Sequence, residues 1–174
     1  MKEERKVYKV VRKQPNSKTC MVCGLENNFG LKASFYELEN NEVVALFKPI
    51  EEYQSYPGIL HGGIAAAILD ETIGRAFLLN DEAAWGYTTE LNIHYLKPIP
   101  INTAEDIKTT GRITKEEKNV AEGTGEIILK GGIIAARAHA KYIKLPLGKI
   151  PNFDTVAVGW KVISSESEPT EIEY

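Results

Sequence analysis

Apolar positions along the chain follow two periods, and the switches between them mark the elements. Leu31–Leu38 and Glu42–Lys48 read as strands on either side of an Asn40-Asn41 turn, which suits a hairpin. Pro49–Pro57 is a connector. Ile64–Leu79 then runs nearly unbroken in Ala, Leu and Ile, a composition that favours helix and a length that argues against a strand. Its apolar side chains occupy most faces, so this helix is expected to be buried. After a link at 80–84, Tyr87, Thr89, Leu91, Ile93 and Tyr95 alternate with Thr88, Glu90, Asn92 and His94, as in a strand. Lys97-Pro98-Ile99-Pro100 stops it. Ala104–Thr114, Asn119–Leu129 and Ile133–Leu145 read as three further strands, joined by a charged turn at Lys115–Lys118 and by Gly131-Gly132. Links this short require antiparallel pairing. The pattern predicts an α+β fold: one long buried helix wrapped by a five- to six-stranded antiparallel sheet. Residues 1–30 read as a polar, turn-rich N-terminal arm, 31–145 as the domain, and 146–174 as a tail with a possible extra strand at Val156–Ile163.

Composition narrows the classes of function. The chain has 174 residues, 43% of them hydrophobic, enough for one domain with a sizeable core. A net charge of −3 gives no reason to expect nucleic-acid binding, although the ends are charged with opposite sign, basic over 1–18 and acidic over 164–174. The first six residues lack the apolar core of a signal peptide, and no apolar run is long enough to span a bilayer. The expectation is a cytoplasmic protein with no membrane partner. Two cysteines, Cys20 and Cys23, fit a reducing compartment. Their spacing is that of half a zinc site, but structural zinc usually takes four protein ligands. No second cysteine pair follows, and His61, His94 and His139 are scattered. A plain turn, with no metal and no cofactor, is therefore expected.

Three places could carry chemistry. His61-Gly62-Gly63 lies at the mouth of the buried helix, where backbone N–H groups have no helical partner. The two glycines either admit another molecule to those donors, which favour negative charge, or simply permit a tight turn. Asp70 sits mid-helix, and Ala66, Ala67, Ile73 and Gly74, one turn away, cannot pair with it. It is either a functional carboxylate with a raised pKa or a buried acid bonded to a distant backbone group. Its neighbour Glu71 has an ordinary explanation in Arg75, four residues on. The strand segment Tyr87-Thr88-Thr89-Glu90-Leu91-Asn92 offers hydroxyls, one of which could orient a carboxylate or a water on the helix, or its threonines could be ordinary strand formers.

The run Tyr56-Pro57-Gly58-Ile59-Leu60-His61-Gly62-Gly63, with Asp70 nine residues after the histidine, resembles the hotdog-fold thioesterases. The nearest resemblance is to the phenylacetyl-CoA thioesterase-like branch of the 4-hydroxybenzoyl-CoA thioesterase superfamily. Thr88–Pro98 is similar to the corresponding strand of that family, and Cys20-Met21-Val22-Cys23-Gly24 with Asn28-Phe29-Gly30-Leu31 to its upstream segment. The resemblance implies a hotdog fold that hydrolyses acyl-CoA to free acid and CoA. It implies that the Gly62 N–H polarises the thioester carbonyl, assisted by Gly63. Asp70 would act as nucleophile or general base, Thr88 would orient the attacking group, and His61 would shape the turn and contact substrate. Ser55 falls where some relatives place an amide side chain. Lys97, Arg112 and Lys115 are candidate contacts for CoA phosphates. A non-enzymatic hotdog protein that senses acyl-CoA or an apolar acid is the alternative. A dehydratase on the same fold lacks its His-plus-acid motif here. Gly62 and Asp70 are eight helical residues, roughly 12 Å, apart, too far for one helix to serve one carbonyl. A homodimer or dimer of dimers with active sites shared between chains is therefore expected.

Overall fold

In the computed structural model, residues 6–80, 82 and 84–174 are described; the charged first five residues, and positions 81 and 83 in the link after the helix, lie outside them. The expected strands and helix are present. They are β2 (Ser34–Leu38), β3 (Val43–Phe47), α1 (Gly62–Arg75), β4 (Ala84–Tyr95), β5 (Ile107–Glu117), β6 (Val120–Leu129) and β7 (Ile133–Pro146). Two more strands, β1 (Val7–Lys13) and β8 (Glu171–Glu173), extend the sheet to eight, in the order β4-β7-β6-β5-β3-β2-β1-β8. Each neighbouring pair is antiparallel. The chain leaves β3 inside the sheet and returns at the far edge as β4, and α1 makes the crossing.

The sheet is wider than the expected five to six strands because its two outermost members carry weak signals. Within β1, Tyr8 and Val10 are partly covered, but a register shift between Val10 and Arg12 breaks the alternation. β8 has only three residues, of which Ile172 alone is buried. The extra strand expected at Val156–Ile163 is not formed. Asp154 caps that segment, its Oδ1 accepting the N–H groups of Val156 (2.8 Å) and Ala157 (3.3 Å), and Gly159 adopts a left-handed φ of 65°. A run of turns results, held to the rest by the bridge from Lys161 to Asn16, by the Lys18 N–H donating to the Val158 carbonyl at 2.9 Å, and by Trp160 against Trp85 and Arg75. β2 starts three residues later than the pattern suggests, since Lys32 sits at φ 53°, outside strand geometry. The Asn40-Asn41 hairpin is as expected, with Asn41 at φ 61°.

The helix begins at Gly62, two residues before the apolar run, because His61 caps it. The His61 Nδ1 accepts the Gly63 N–H at 2.9 Å. Its last expected turn, Ala76–Leu79, is tightened into a 3₁₀ turn. Ile68, Leu69, Ile73 and Phe77 pack with Phe35, Val43, Ile127, Ala136 and Tyr142 in one core.

How close α1 lies to the sheet is set by glycines on β5 and β6. A Cβ at Gly111 would stand 2.4 Å from the Thr72 carbonyl oxygen and 2.9 Å from the Ile73 Cα. At Gly123 and Gly125 it would stand 2.5 and 2.8 Å from the Ile73 side chain. These three bare positions form a seat for the helix backbone at Thr72–Ile73.

Because the obstacle at Gly111 is helix backbone, Gly111→Ala must displace α1. A loss of about 1–3 kcal/mol is expected in chemical denaturation, as for an overpacked core. Stability within about 0.5 kcal/mol of the parent would contradict the seat.

Candidate active site

Asp70 leaves α1 on the side facing β4 and is half-buried. None of its helical neighbours pairs with it, as expected. Its partner comes from the sheet: the Thr88 hydroxyl donates to Asp70 Oδ1 at 2.7 Å. Directly opposite Thr88 on β7, the buried Tyr142 hydroxyl donates to the Asp70 backbone carbonyl at 3.1 Å. The carboxylate opens on a small cavity of about 70 Å³, lined by Gly74, Trp85, Gly86 and Tyr142 among others. Desolvation raises the Asp70 pKa above the usual aspartate value, and the nearby Glu71 charge adds to this. Hydrogen bonds from Thr88 and Tyr142 oppose the rise without cancelling it.

Thr88 reaches Asp70 through a β-bulge that strict alternation does not show. Thr88 pairs with Tyr142 and Glu90 with Lys141, so Thr89 is an extra residue. Before the bulge, even-numbered positions face the helix: a Cβ at Gly86 would stand 2.6 Å from the Phe77 ring. After it, odd-numbered positions do, and Leu91 and Ile93 join the core. The inward set is therefore Gly86, Thr88, Leu91, Ile93 and Tyr95, while Tyr87 falls on the opposite face.

Tyr95, which the sequence reading passed over as a strand residue, belongs to the helix mouth. Its hydroxyl donates to the Gly62 carbonyl at 2.8 Å and lies 3.4 Å from where a Gly62 Cβ would be. The Gly63 N–H is already taken by His61, whereas the Gly62 N–H has no acceptor among the described residues. The chain thus presents two constellations. Asp70 and Thr88 form one; His61, Gly62, Gly63 and Tyr95 form the other, eight residues or roughly 12 Å back along α1. Ser55 lies exposed in the turn before the helix, its N–H bonded to Ile59. No hydrogen bond ties it to either group. The amide in that turn is Gln54, whose Oε1 accepts the Gly58 N–H at 3.1 Å.

The other candidates separate. His139 pairs with Glu122 at 2.9 Å across the sheet's outer face. Arg112 is engaged by Glu42, and Lys115 by Glu117 at 2.8 Å. Cys20 and Cys23 do not stand alone: their sulfurs lie within 4.8 Å of each other and of a Glu71 carboxylate oxygen. No helix among the described residues is long and apolar enough to cross a membrane.

Comparison with known proteins bears on the family and the fold. The family model described as "Thioesterase superfamily" matches residues 57–136, which contain both constellations. Human acyl-coenzyme A thioesterase 13 is 31% identical over 104 residues, covering 59% of this chain and 73% of that protein. The solved zebrafish thioesterase superfamily member 2 is 27% identical with a TM-score of 0.54, over 59% of this chain and 73% of that one. A Streptococcus mutans protein solved with acetyl CoA shares the fold at 16% identity, with a TM-score of 0.55 over 61% of this chain and 82% of that one.

The Thr88 hydroxyl favours the ionised form of Asp70, so its removal has a signed consequence. In Thr88→Val the Asp70 pKa should rise further, read from the side-chain carboxyl carbon by NMR titration. An unchanged pKa in the folded variant would show that the hydrogen bond does not act on the carboxylate.

Proposed function

The chain belongs to the thioesterase superfamily and is an acyl-CoA thioesterase, and on that premise we propose how its residues divide the work. Water and acyl-CoA give the free acid and CoA. Asp70 supplies the attack, either on the carbonyl carbon directly or by taking a proton from the water that attacks. The Gly62 N–H, at the positive end of α1 and without another acceptor among the described residues, supports the oxygen that becomes negative. Thr88 holds the carboxylate by its 2.7 Å hydrogen bond. His61 and Tyr95 hold the helix mouth from its N–H and carbonyl sides, and Gly63 gives His61 its donor. The observation that carries the reading is a half-buried carboxylate with a raised pKa, held by one hydroxyl and open to a cavity. The matched relatives are named as enzymes, so the sensor alternative is set aside.

We further propose that two chains build each site. A reacting carbonyl needs the carboxylate within about 3.5 Å of its carbon and a donor about 3 Å from its oxygen. Asp70 and Gly62 of one chain are roughly 12 Å apart along a straight helix, so they cannot both meet it. Two α1 helices set antiparallel across a two-fold axis would bring Asp70 of one chain to Gly62 of the other. The free edge of the sheet supports this arrangement. Among the described residues β4 pairs only with β7, leaving a twelve-residue edge on which Tyr87 and Tyr95, with Leu96 just after it, are about half exposed.

Asp70→Asn retains the shape and an acceptor for Thr88 but neither attacks nor takes a proton. It should keep the fold and lose at least about tenfold in turnover of acyl-CoA, a modest demand against typical acid–base contributions of 10²–10⁴. In the parent, kcat/KM should fall on the acid side with a midpoint above the ordinary aspartate value of about 3.9. Near-normal turnover by a folded Asn variant would remove Asp70 from the chemistry.

A further inference from the structure

Cys20, Cys23 and Glu71 have no part in the chemistry above, yet they converge from two distant parts of the chain. Both sulfurs and a Glu71 carboxylate oxygen lie within 4.8 Å of one another. Cys23 is 1% exposed, and Cys20 and Glu71 are partly covered. The turn that carries the sulfurs is pinned from several sides. Cys20 Sγ accepts the backbone N–H groups of Val22 at 3.3 Å and Cys23 at 3.5 Å. The Gly24 N–H bonds the Cys20 carbonyl at 2.9 Å, and a Cβ at position 24 would stand 2.3 Å from that oxygen. The buried Asn16 side chain donates to the carbonyls of Cys23 (2.7 Å) and Ala33 (2.9 Å).

Apolar packing does not account for this set. A plain turn would explain two small cysteines, but not a carboxylate held against both. Once the thiols ionise, thiolate and carboxylate at this range repel each other unless a cation lies between them. Glu71 is bonded to Arg75 through Oε1 at 2.9 Å, which leaves its other oxygen. Two thiolates and a carboxylate carry three negative charges. One divalent cation together with the Arg75 guanidinium balances them.

The geometry points to a metal site made by Cys20, Cys23 and Glu71, taking a thiophilic divalent cation, Zn²⁺, and tying the N-terminal turn to α1 one residue from Asp70. Two thiolates with a carboxylate are a borderline-soft donor set suited to Zn²⁺. Zinc–sulfur bonds of about 2.3 Å in a tetrahedron put two sulfurs about 3.8 Å apart, so the 4.8 Å cluster needs only a small contraction. Each thiol releases its proton to solvent on binding, and the fourth position takes water. The sequence argued against a metal because it offered two ligands with no visible third. The third comes from a helix 48 residues after Cys23.

The test uses the full chain, completely reduced, titrated with Co²⁺ and then with Zn²⁺ in competition with a chromophoric chelator. One equivalent of Co²⁺ per chain should bind with a thiolate-to-cobalt charge-transfer band, and Zn²⁺ should displace it. Glu71→Gln keeps both thiols and should weaken Zn²⁺ binding at least about tenfold, no less than loss of an outer-shell partner. Cys23→Ser should abolish the band. Reduced, folded protein that gives no band and takes up no Zn²⁺ overturns the site, including protein that only cycles between dithiol and disulfide. Unchanged affinity in Glu71→Gln overturns it as well, independently of whether the cysteine variant folds.

Discussion

The close contact of α1 with the bare glycines of β5 and β6 is the constraint on which the rest depends. A helix held away by a layer of side chains would carry Asp70 away from β4, and a threonine hydroxyl has little reach. With Gly111, Gly123 and Gly125 beneath Thr72 and Ile73, the helix settles low enough for Thr88 to close a 2.7 Å bond. The same descent takes the Asp70 backbone carbonyl to the Tyr142 hydroxyl and the Gly62 carbonyl to Tyr95. Packing in the middle of the molecule thus sets polar geometry along the length of the helix.

That geometry works against stability in one respect. Burial raises the Asp70 pKa, because the ionised carboxylate is better solvated in the unfolded chain than in the folded one. Stability linked to this group is complete below the unfolded pKa and is lost as pH rises through the higher folded one. The hydrogen bonds from Thr88 and Tyr142 offset part of this cost without removing it. On the proposed reading, a carboxylate left partly uncompensated is also a better base than a solvated one, because its pKa lies nearer to the pH at which it would work.

Much of this was legible in the sequence where signals were long or chemically anomalous. The Ala- and Leu-rich helix, the four strands after it and the isolated Asp70 fall into that class. Gly62 and Asp70, eight residues apart on one helix, already exposed the distance problem. What could not be read depends on contacts between distant segments. The bulge at Thr89 changes which residues of β4 face inward, and no local composition marks it; without it Tyr95 falls on the same nominal face as Tyr87. Thr88 came only from resemblance, since plain alternation puts it opposite Leu91 and Ile93. β8 is too short to show a period, and the apolar run at Val156–Ile163 is turned by Asp154 and Gly159 rather than extended. Glu71 looked fully explained by Arg75, and its place beside two cysteines required the fold.

The central claim is that a carboxylate from one chain and a helix mouth from another serve the same thioester. Mixing two inactive variants, Asp70→Asn and Gly62→Pro, under conditions that exchange subunits tests it directly. If sites are shared, a mixed dimer holds one site with both lesions and one with neither, and acyl-CoA hydrolysis returns to about half the parent value per mixed dimer. If each site lies within one chain, every site keeps a lesion, and verified mixed dimers that stay inactive would contradict the account.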